Sequence, residues 1–407
     1  MNILFIHQNF PGQFKHLAPA LVKAGHTVTA LILAKTEATQ WNGVKLVPYS
    51  LSRGNAKEAH PWTVDFESKA IRGEACLKAA LALKDQGYTP EVIVAHPGWG
   101  ESLFLKEVWP EAKIKLYCEF FYHARGADVG FDPEFSASDP ADAGRVTLKN
   151  ANMLLQFQNA DEGLSPTYWQ ASTFPPHIRD KITVIHDGID TEVLSPNPSV
   201  SFLLDNGKRL TRDDEVITFV NRALEPYRGF HVFMRSLPKL LAARHDAHVL
   251  IVGKEGVSYG AQPPNGKSWK TIFSEEVLPK LTSQQRERIH FLGTIEYPRF
   301  ISLLQVSRVH VYLTYPFVLS WSLLEAMSVG CTIVASDTQP LHEAIKHNET
   351  GLLVDFFDHD ALAHSVSRLL DDETASDRLG EAARVFAIEN YDLKSVCLPR
   401  QIQWLLH

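Results

Sequence analysis

The chain has 407 residues, 45% hydrophobic and 21% charged, a composition that fits a folded globular protein and excludes extensive disorder. Its length exceeds what one hydrophobic core commonly serves, so two domains are expected. A formal net charge of -7 excludes a general nucleic-acid binder, which needs clustered Lys and Arg to displace counterions.

In chain order, Asn2-Ile3-Leu4-Phe5-Ile6 reads as a buried strand, not as a signal peptide, because no basic segment with a long apolar core is present. Short Val-, Ile- and Leu-rich runs then alternate with stretches of helical period, the pattern of βαβ units and parallel sheets. In the first half, strands are predicted over Asn2–Ile6, Thr27–Leu33, Val44–Val47, Glu91–Ala95, Lys113–Cys118 and Ile182–His186. A helix over Gln13–Ala24 is expected to stop at Gly25. The second half repeats the alternation, with strands over Glu215–Val220, Ala247–Val252, Arg288–Leu292, Val309–Leu313, Thr332–Ala335 and Gly351–Val354. Ser195-Pro196-Asn197-Pro198-Ser199 is the expected linker, dividing a domain over 1–195 from one over 200–390. The apolar spacing of the last stretch, from about 391 to 407, predicts a helix that packs back on the first domain.

The four cysteines, Cys76, Cys118, Cys331 and Cys397, form neither a CxxC pair nor a disulfide framework, which suits a reducing, cytoplasmic setting. No apolar run reaches the roughly 20 residues that span a bilayer, so any membrane contact would be peripheral. Lys69, Arg72, Lys78 and Lys84 border one helix face, read as solvated. HExxH, Cys/His clusters and GxSxG are not found, so neither a metal site nor an acyl-enzyme is expected.

The chemistry concentrates at strand ends. After the strand Val309–Leu313 the chain turns at Pro316 and enters a helix near Ser320-Trp321-Ser322, whose free N–H groups and dipole make an anion site. Glu325, one to two turns on, can accept hydrogen bonds from vicinal hydroxyls such as those of a ribose. Arg222 and Arg228, six residues apart after a strand, can clamp a diphosphate. Lys254, beside Gly253, can face the same phosphates. In the first half, His96-Pro97-Gly98-Trp99-Gly100 and Glu119 follow strands, where open α/β sheets bind ligands. Gly98 and Gly100 form a tight turn or allow a ligand close to the backbone. Glu119 can stabilise positive charge, act as a base, or pair structurally with Arg125.

Several segments together resemble the glycosyltransferase family 4 enzymes of GT-B fold. They are Glu325-Ala326-Met327-Ser328-Val329-Gly330 with the strand after it, Asn348-Glu349-Thr350-Gly351, Asn221-Arg222-Ala223-Leu224-Glu225-Pro226-Tyr227-Arg228-Gly229, Gln8-Asn9-Phe10-Pro11-Gly12-Gln13 and His186-Asp187-Gly188-Ile189-Asp190. The resemblance implies two Rossmann-like, doubly wound α/β domains facing across a cleft, and a retaining transferase that moves a hexosyl or deoxyhexosyl group from a nucleoside-diphosphate sugar. It implies no metal and no cofactor, the nucleotide sugar being substrate, with a carbohydrate, lipid-linked or protein acceptor in bacterial-type glycan or glycoconjugate synthesis. Donor binding then falls to Arg222, Arg228, Gly253, Lys254, Gly293, Thr294, Ser320, Trp321, Ser322 and Glu325. Gly293 and Thr294 belong to a region that gives the base main-chain hydrogen bonds. Gly12, Gln13, Gly98 and Gly100 shape the acceptor side, and Glu119, His96, Arg222 and Arg228 serve the reaction. Several positions depart from the family pattern: Arg228 replaces Lys, Glu119 replaces a histidine, Phe317 replaces the first of two glutamates, the one that meets donor-sugar hydroxyls, and Val318, Leu319 and Ser320 stand where the family has Gly-rich residues that let backbone approach the ligand. Competing expectations are an epimerase or hydrolase on the same fold, and a partner subunit that has lost activity.

Overall fold

The computed structural model describes residues 1–34, 38–136 and 141–407, and the chain divides into two compact units. Unit 1 holds residues 1–130, 137–188 and 394–407; unit 2 holds 131–136 and 189–393. The switch between them therefore precedes the Pro-rich stretch predicted as linker. That stretch is anchored, because Leu194 and Val200 on either side of it are buried in the core of unit 2 and the Ser195 carbonyl accepts a hydrogen bond from Gln305.

Unit 1 is built on an eight-stranded sheet: β1 Asn2–Ile6, β2 Thr27–Leu33, β3 Gln40–Trp41, β4 Val44–Tyr49, β5 Val92–Ala95, β6 Lys113–Tyr117, β7 Glu162–Ser165 and β8 Ile182–Val184. The order is β3-β4-β2-β1-β5-β6-β7-β8, and every pairing is parallel except β3 with β4. The central strands are buried on both faces, which is why β1 and β5 read as unbroken apolar runs. The helix predicted over Gln13–Ala24 is shorter, Leu17–Lys23, preceded by a 3-10 turn at Gly12–Phe14. Pro19 accounts for the break: it is tolerated in a first helical turn, but its ring would clash with the Lys15 carbonyl in a longer helix. The terminal helix, Leu398–Leu406, covers unit 1, with Trp404 and Leu405 in its core and the buried Lys115 ammonium donating to the Trp404 carbonyl at 2.5 Å.

Unit 2 opens with a small antiparallel ribbon, β9 Phe202–Leu203 and β10 Arg209–Leu210. Its main sheet is wholly parallel: β11 Val216–Ala223, β12 His248–Lys254, β13 Ile289–Gly293, β14 Val309–Tyr312, β15 Thr332–Ser336 and β16 Leu352–Val354, in the order β13-β12-β11-β14-β15-β16. The order reverses at β11, so the loops after β11 and β14 open from neighbouring strands, where such sheets leave a crevice. Among the described residues no helix is long and apolar enough to cross a membrane.

Candidate active site

In unit 2, β11 runs into a 3-10 turn, Pro226–Arg228, closed by Gly229 at φ +67°. A Cβ on Gly229 would lie 2.3 Å from Leu313 Cβ, so the turn can lie this close to β14 only with glycine there. The turn carries Arg228 inward. Its side chain is buried, and Nη1 donates to the Tyr312 hydroxyl at 3.1 Å, Thr314 Oγ1 at 2.7 Å and the Val318 carbonyl at 3.1 Å. Every one of these acceptors is uncharged. Tyr259 and Phe317 face the guanidinium with ring centroids at 5.3 and 5.9 Å.

Arg222 differs: it is exposed near the end of β11. The two arginines therefore do not form the symmetric pair expected from their spacing. Between them, the buried Glu225 carboxylate accepts hydrogen bonds from the backbone N–H groups of Ser258, Tyr259 and Gly260, at 3.2, 3.2 and 3.0 Å. This carboxylate was not singled out in the sequence, although its place midway between two strand-end arginines was a usable signal. It fixes the loop that brings Tyr259 to Arg228. Lys254 is exposed at the end of β12, and Gly253 packs against Leu224, where a Cβ would meet Cδ2 at 2.7 Å.

Phe317 does not stand at an open sugar position. Its side chain is 3% exposed and packs against Tyr227 and Tyr259, each with a ring-centroid distance of 5.1 Å. Val318 and Leu319 are buried as well. The helix Trp321–Val329 begins as predicted, with Ser320 as its N-cap accepting from the Ser322 N–H. Trp321 and Ser322 are half-buried in the first turn. Glu325 is buried in the next turn, and its Oε1 accepts the Tyr297 hydroxyl at 2.9 Å. Burial and the charge of Glu325 raise the Tyr297 phenol well above its ordinary value. Gly293, at φ +64°, and Thr294 are exposed at the end of β13, one short turn before Tyr297.

The segment 131–136 adds an ionic cluster to unit 2. Asp132 accepts the Tyr315 hydroxyl at 2.8 Å and lies 3.0 Å from His231 Nε2, while Glu134 is gripped by Arg235 through two contacts of 2.7 Å. Asp132, Glu134 and His231 are close enough to hold a cation. Their ligand atoms are already matched by Tyr315, His231 and Arg235, so the cluster reads as an anchor for this segment.

In unit 1, the ends of β1, β5 and β6 converge. His7 directly follows β1 and lies at the centre of the cluster, which its strand-end position alone had not revealed. Its Nδ1 accepts the Asn9 N–H, so Nε2 carries the proton and donates to Gln13 Oε1 at 2.9 Å. Gln13 Nε2 in turn donates to Glu119 Oε1 at 3.4 Å. Burial, helped by His96, lowers the His7 pKa to about 3 and keeps the ring neutral. On the other side, His96 Nδ1 accepts the Gly98 N–H, which directs its Nε2–H toward Glu119 Oε2, 3.4 Å away. Trp99 stacks on His96 at 4.2 Å. Burial works to raise the Glu119 pKa, but the nearness and charge of His96, then His7 and Gln13, outweigh it and hold the carboxyl below its ordinary value.

The glycines of this site approach protein. A Cβ on Gly12 would lie 2.4 Å from the His7 ring, one on Gly98 2.8 Å from His96, and one on Gly100 2.5 Å from the Lys69 carbonyl. They seat the cluster and its flanking helix, which accounts for them without a ligand against the backbone.

Two α/β units with largely parallel sheets and cationic side chains near strand ends define the class of protein by its fold. The whole chain has the GT-B fold. It superposes on sucrose-phosphate synthase from Thermosynechococcus elongatus with a TM-score of 0.73 at 17% identity, over 99% of this chain and 98% of that one. Anabaena HepE in complex with UDP-glucose matches with a TM-score of 0.68 at 14% identity, over 100% and 99%. Residues 24–194 match the model of the glycosyl transferase family 4 group, and residues 204–386 that of glycosyl transferases group 1. The chain belongs to glycosyltransferase family 4. Among curated relatives, glycogen synthase of Mycobacterium tuberculosis is 24% identical over 412 aligned positions, 94% of this chain and 87% of that protein. D-inositol 3-phosphate glycosyltransferase of Corynebacterium glutamicum is 25% identical over 207 residues, 50% of this chain and 47% of that protein. The chain spans about half the length of the latter relative.

Proposed function

We propose that the protein is a retaining glycosyltransferase that binds a nucleoside-diphosphate sugar in unit 2 and transfers the sugar to a hydroxyl of an acceptor held by unit 1, in glycan or glycoconjugate synthesis. The observation that carries this reading is Arg228. A buried guanidinium whose hydrogen-bond partners are all neutral is costly unless an anion completes it. A leaving diphosphate supplies that anion, and preorganised donors aimed at developing negative charge are among the largest sources of rate enhancement. Exposed Arg222 and Lys254 add mobile positive charge, the helix at Ser320 adds its dipole, and Glu325 offers an acceptor for ribose hydroxyls.

On the acceptor side, a carboxyl held below its ordinary pKa is a weak base. Glu119 thus suits orienting a hydroxyl and stabilising positive charge on the transferring sugar better than removing a proton. Retention of configuration rests on the family membership, and a nucleotide-sugar donor is supported by the UDP-glucose complex of Anabaena HepE.

A thermal-shift panel of nucleoside diphosphates and nucleotide sugars tests the donor, since a ligand of the folded state must raise the melting temperature. One base should stand out. The Arg222→Ala, Arg228→Ala double variant should lose the shift and transfer at least about 100-fold more slowly. Undiminished transfer by that variant would overturn the assignment, and product analysis with donor alone separates transfer from hydrolysis or epimerisation.

A further inference from the structure

Beside Glu119, unit 1 encloses a pocket of about 220 Å³ whose lining includes His96, Trp99, Glu119, Tyr122, Lys69 and Lys149. It is smaller than the roughly 300–1,000 Å³ of sites for drug-sized ligands, which suits one sugar or polyol ring and not an extended chain. Its polar side chains include Asp65, which pairs with Lys69, and Asn152, which donates to the Pro97 carbonyl; the others fall into two kinds. Glu119 and His96 are suited to a hydroxyl: the first is an ionised acceptor, and the second is buried with an Nε2 that makes no hydrogen bond. The other kind is cationic.

The two lysines differ in their partners. Lys69, from the helix Val64–Asp85, is committed to Asp65 at 2.7 Å and to the Lys149 carbonyl at 3.2 Å. Lys149, from the helix Ala141–Phe157, rests its ammonium on the Tyr122 ring, 3.5 Å from the centroid. Among the described residues it donates no hydrogen bond and has no carboxylate at ion-pairing distance. An ammonium has three donors and the ring face satisfies one side of it; the Asp65 and Asp128 carboxylates act on it only from beyond ion-pairing distance, so donors remain for a ligand at the pocket wall.

We propose that this pocket takes an acceptor ring bearing an anionic substituent, a phosphate ester or a carboxylate, and that Lys149 selects for it. This rests on the reading of unit 1 as the acceptor side. A ring with its reacting hydroxyl at Glu119 and His96 and its anion at Lys149 would complete both sets of polar groups, and Trp99 offers an apolar face to the ring carbons.

The test is affinity of the full chain for matched probes: glucose against glucose 6-phosphate and glucuronate, and myo-inositol against myo-inositol 1-phosphate. Vesicles of phosphatidylcholine with and without phosphatidylinositol distinguish a lipid headgroup from a free phosphate. At least one anionic probe should bind about tenfold more tightly than its neutral parent, Lys149→Met should abolish that preference, and Lys149→Arg should keep it. Equal binding of every anionic probe and its neutral parent, or a preference unchanged in Lys149→Met, would overturn the proposal. Anion capture by Arg228 in unit 2 is common to wild type and Lys149→Met and cancels in their difference. The nucleoside-diphosphate shift is read on the same samples, so its failure sinks the donor reading separately.

Discussion

Arg228 and Glu225 lie on one short turn, and yet the structure gives them different partners: backbone N–H groups for the carboxylate, neutral oxygens for the guanidinium. Had the two paired, the carboxylate would have taken up guanidinium donors that now remain for a ligand. Arg228→Met keeps the volume and removes the charge, so transfer should fall about 100-fold or more, in line with loss of a preorganised donor to a leaving group. Arg228→Lys keeps a point charge but not the forked geometry, and should remain within about tenfold of wild type. Steady-state kinetics of both variants check this, and a methionine variant with wild-type kcat would remove Arg228 from the reaction.

At the scale of elements, both candidate sites sit at the carboxyl ends of parallel strands, and each is shaped by a loop held through one carboxylate. In unit 2 the loop 258–260 hangs on Glu225; in unit 1 the loop after β1 reaches Glu119 through His7 and Gln13. Glu225→Ala removes the acceptor for the loop N–H groups and should cost about 1–3 kcal/mol of stability. It should also release Ser258–Gly260 to faster amide hydrogen exchange and weaken donor binding through the displaced Tyr259. Unchanged exchange in that loop would show that the carboxylate does not hold it. The Gly12 contact explains why the loop after β1 closes on His7: any side chain there would occupy the space of the imidazole.

The molecule as a whole carries buried histidines whose pKa values are lowered by burial, to about 3 for His7, His186 and His310 and about 4 for His248. Their unfolded values lie near 6.5, so between that pH and the folded values the unfolded chain binds more protons than the folded one. Stability is therefore intact above about pH 6.5 and is lost on acidification, each such histidine contributing up to about 1.4 kcal/mol per pH unit. The melting temperature should hold near pH 7 and fall as the pH drops from about 6.5 to 5. His310→Asn, which can keep the bond to Thr218 while removing the titrating ring, should show a shallower fall. An equal slope in the variant would mean that His310 is not neutral and buried as described.

The alternation of apolar runs with helical periods was enough to predict two parallel α/β domains, because strands buried on both faces must be apolar throughout. Strand β7 escaped notice: Glu162-Gly163-Leu164-Ser165 has no apolar run, and Gly163 is there because a Cβ would strike Cys118 Sγ at 2.7 Å. Arg222, Arg228, Ser320 and Glu325 were legible as candidates from their place after strands, since topology fixes where strand ends lie. Their inequality was not legible, because burial and partners depend on residues far away in sequence. Tyr312, Tyr259 and Phe317 decide that Arg228 is enclosed, Tyr297 reaches Glu325, and Tyr122 supports Lys149. Periodicity is a local property that sequence records directly; the charge balance of a buried group is a sum over neighbours that only the folded chain assembles.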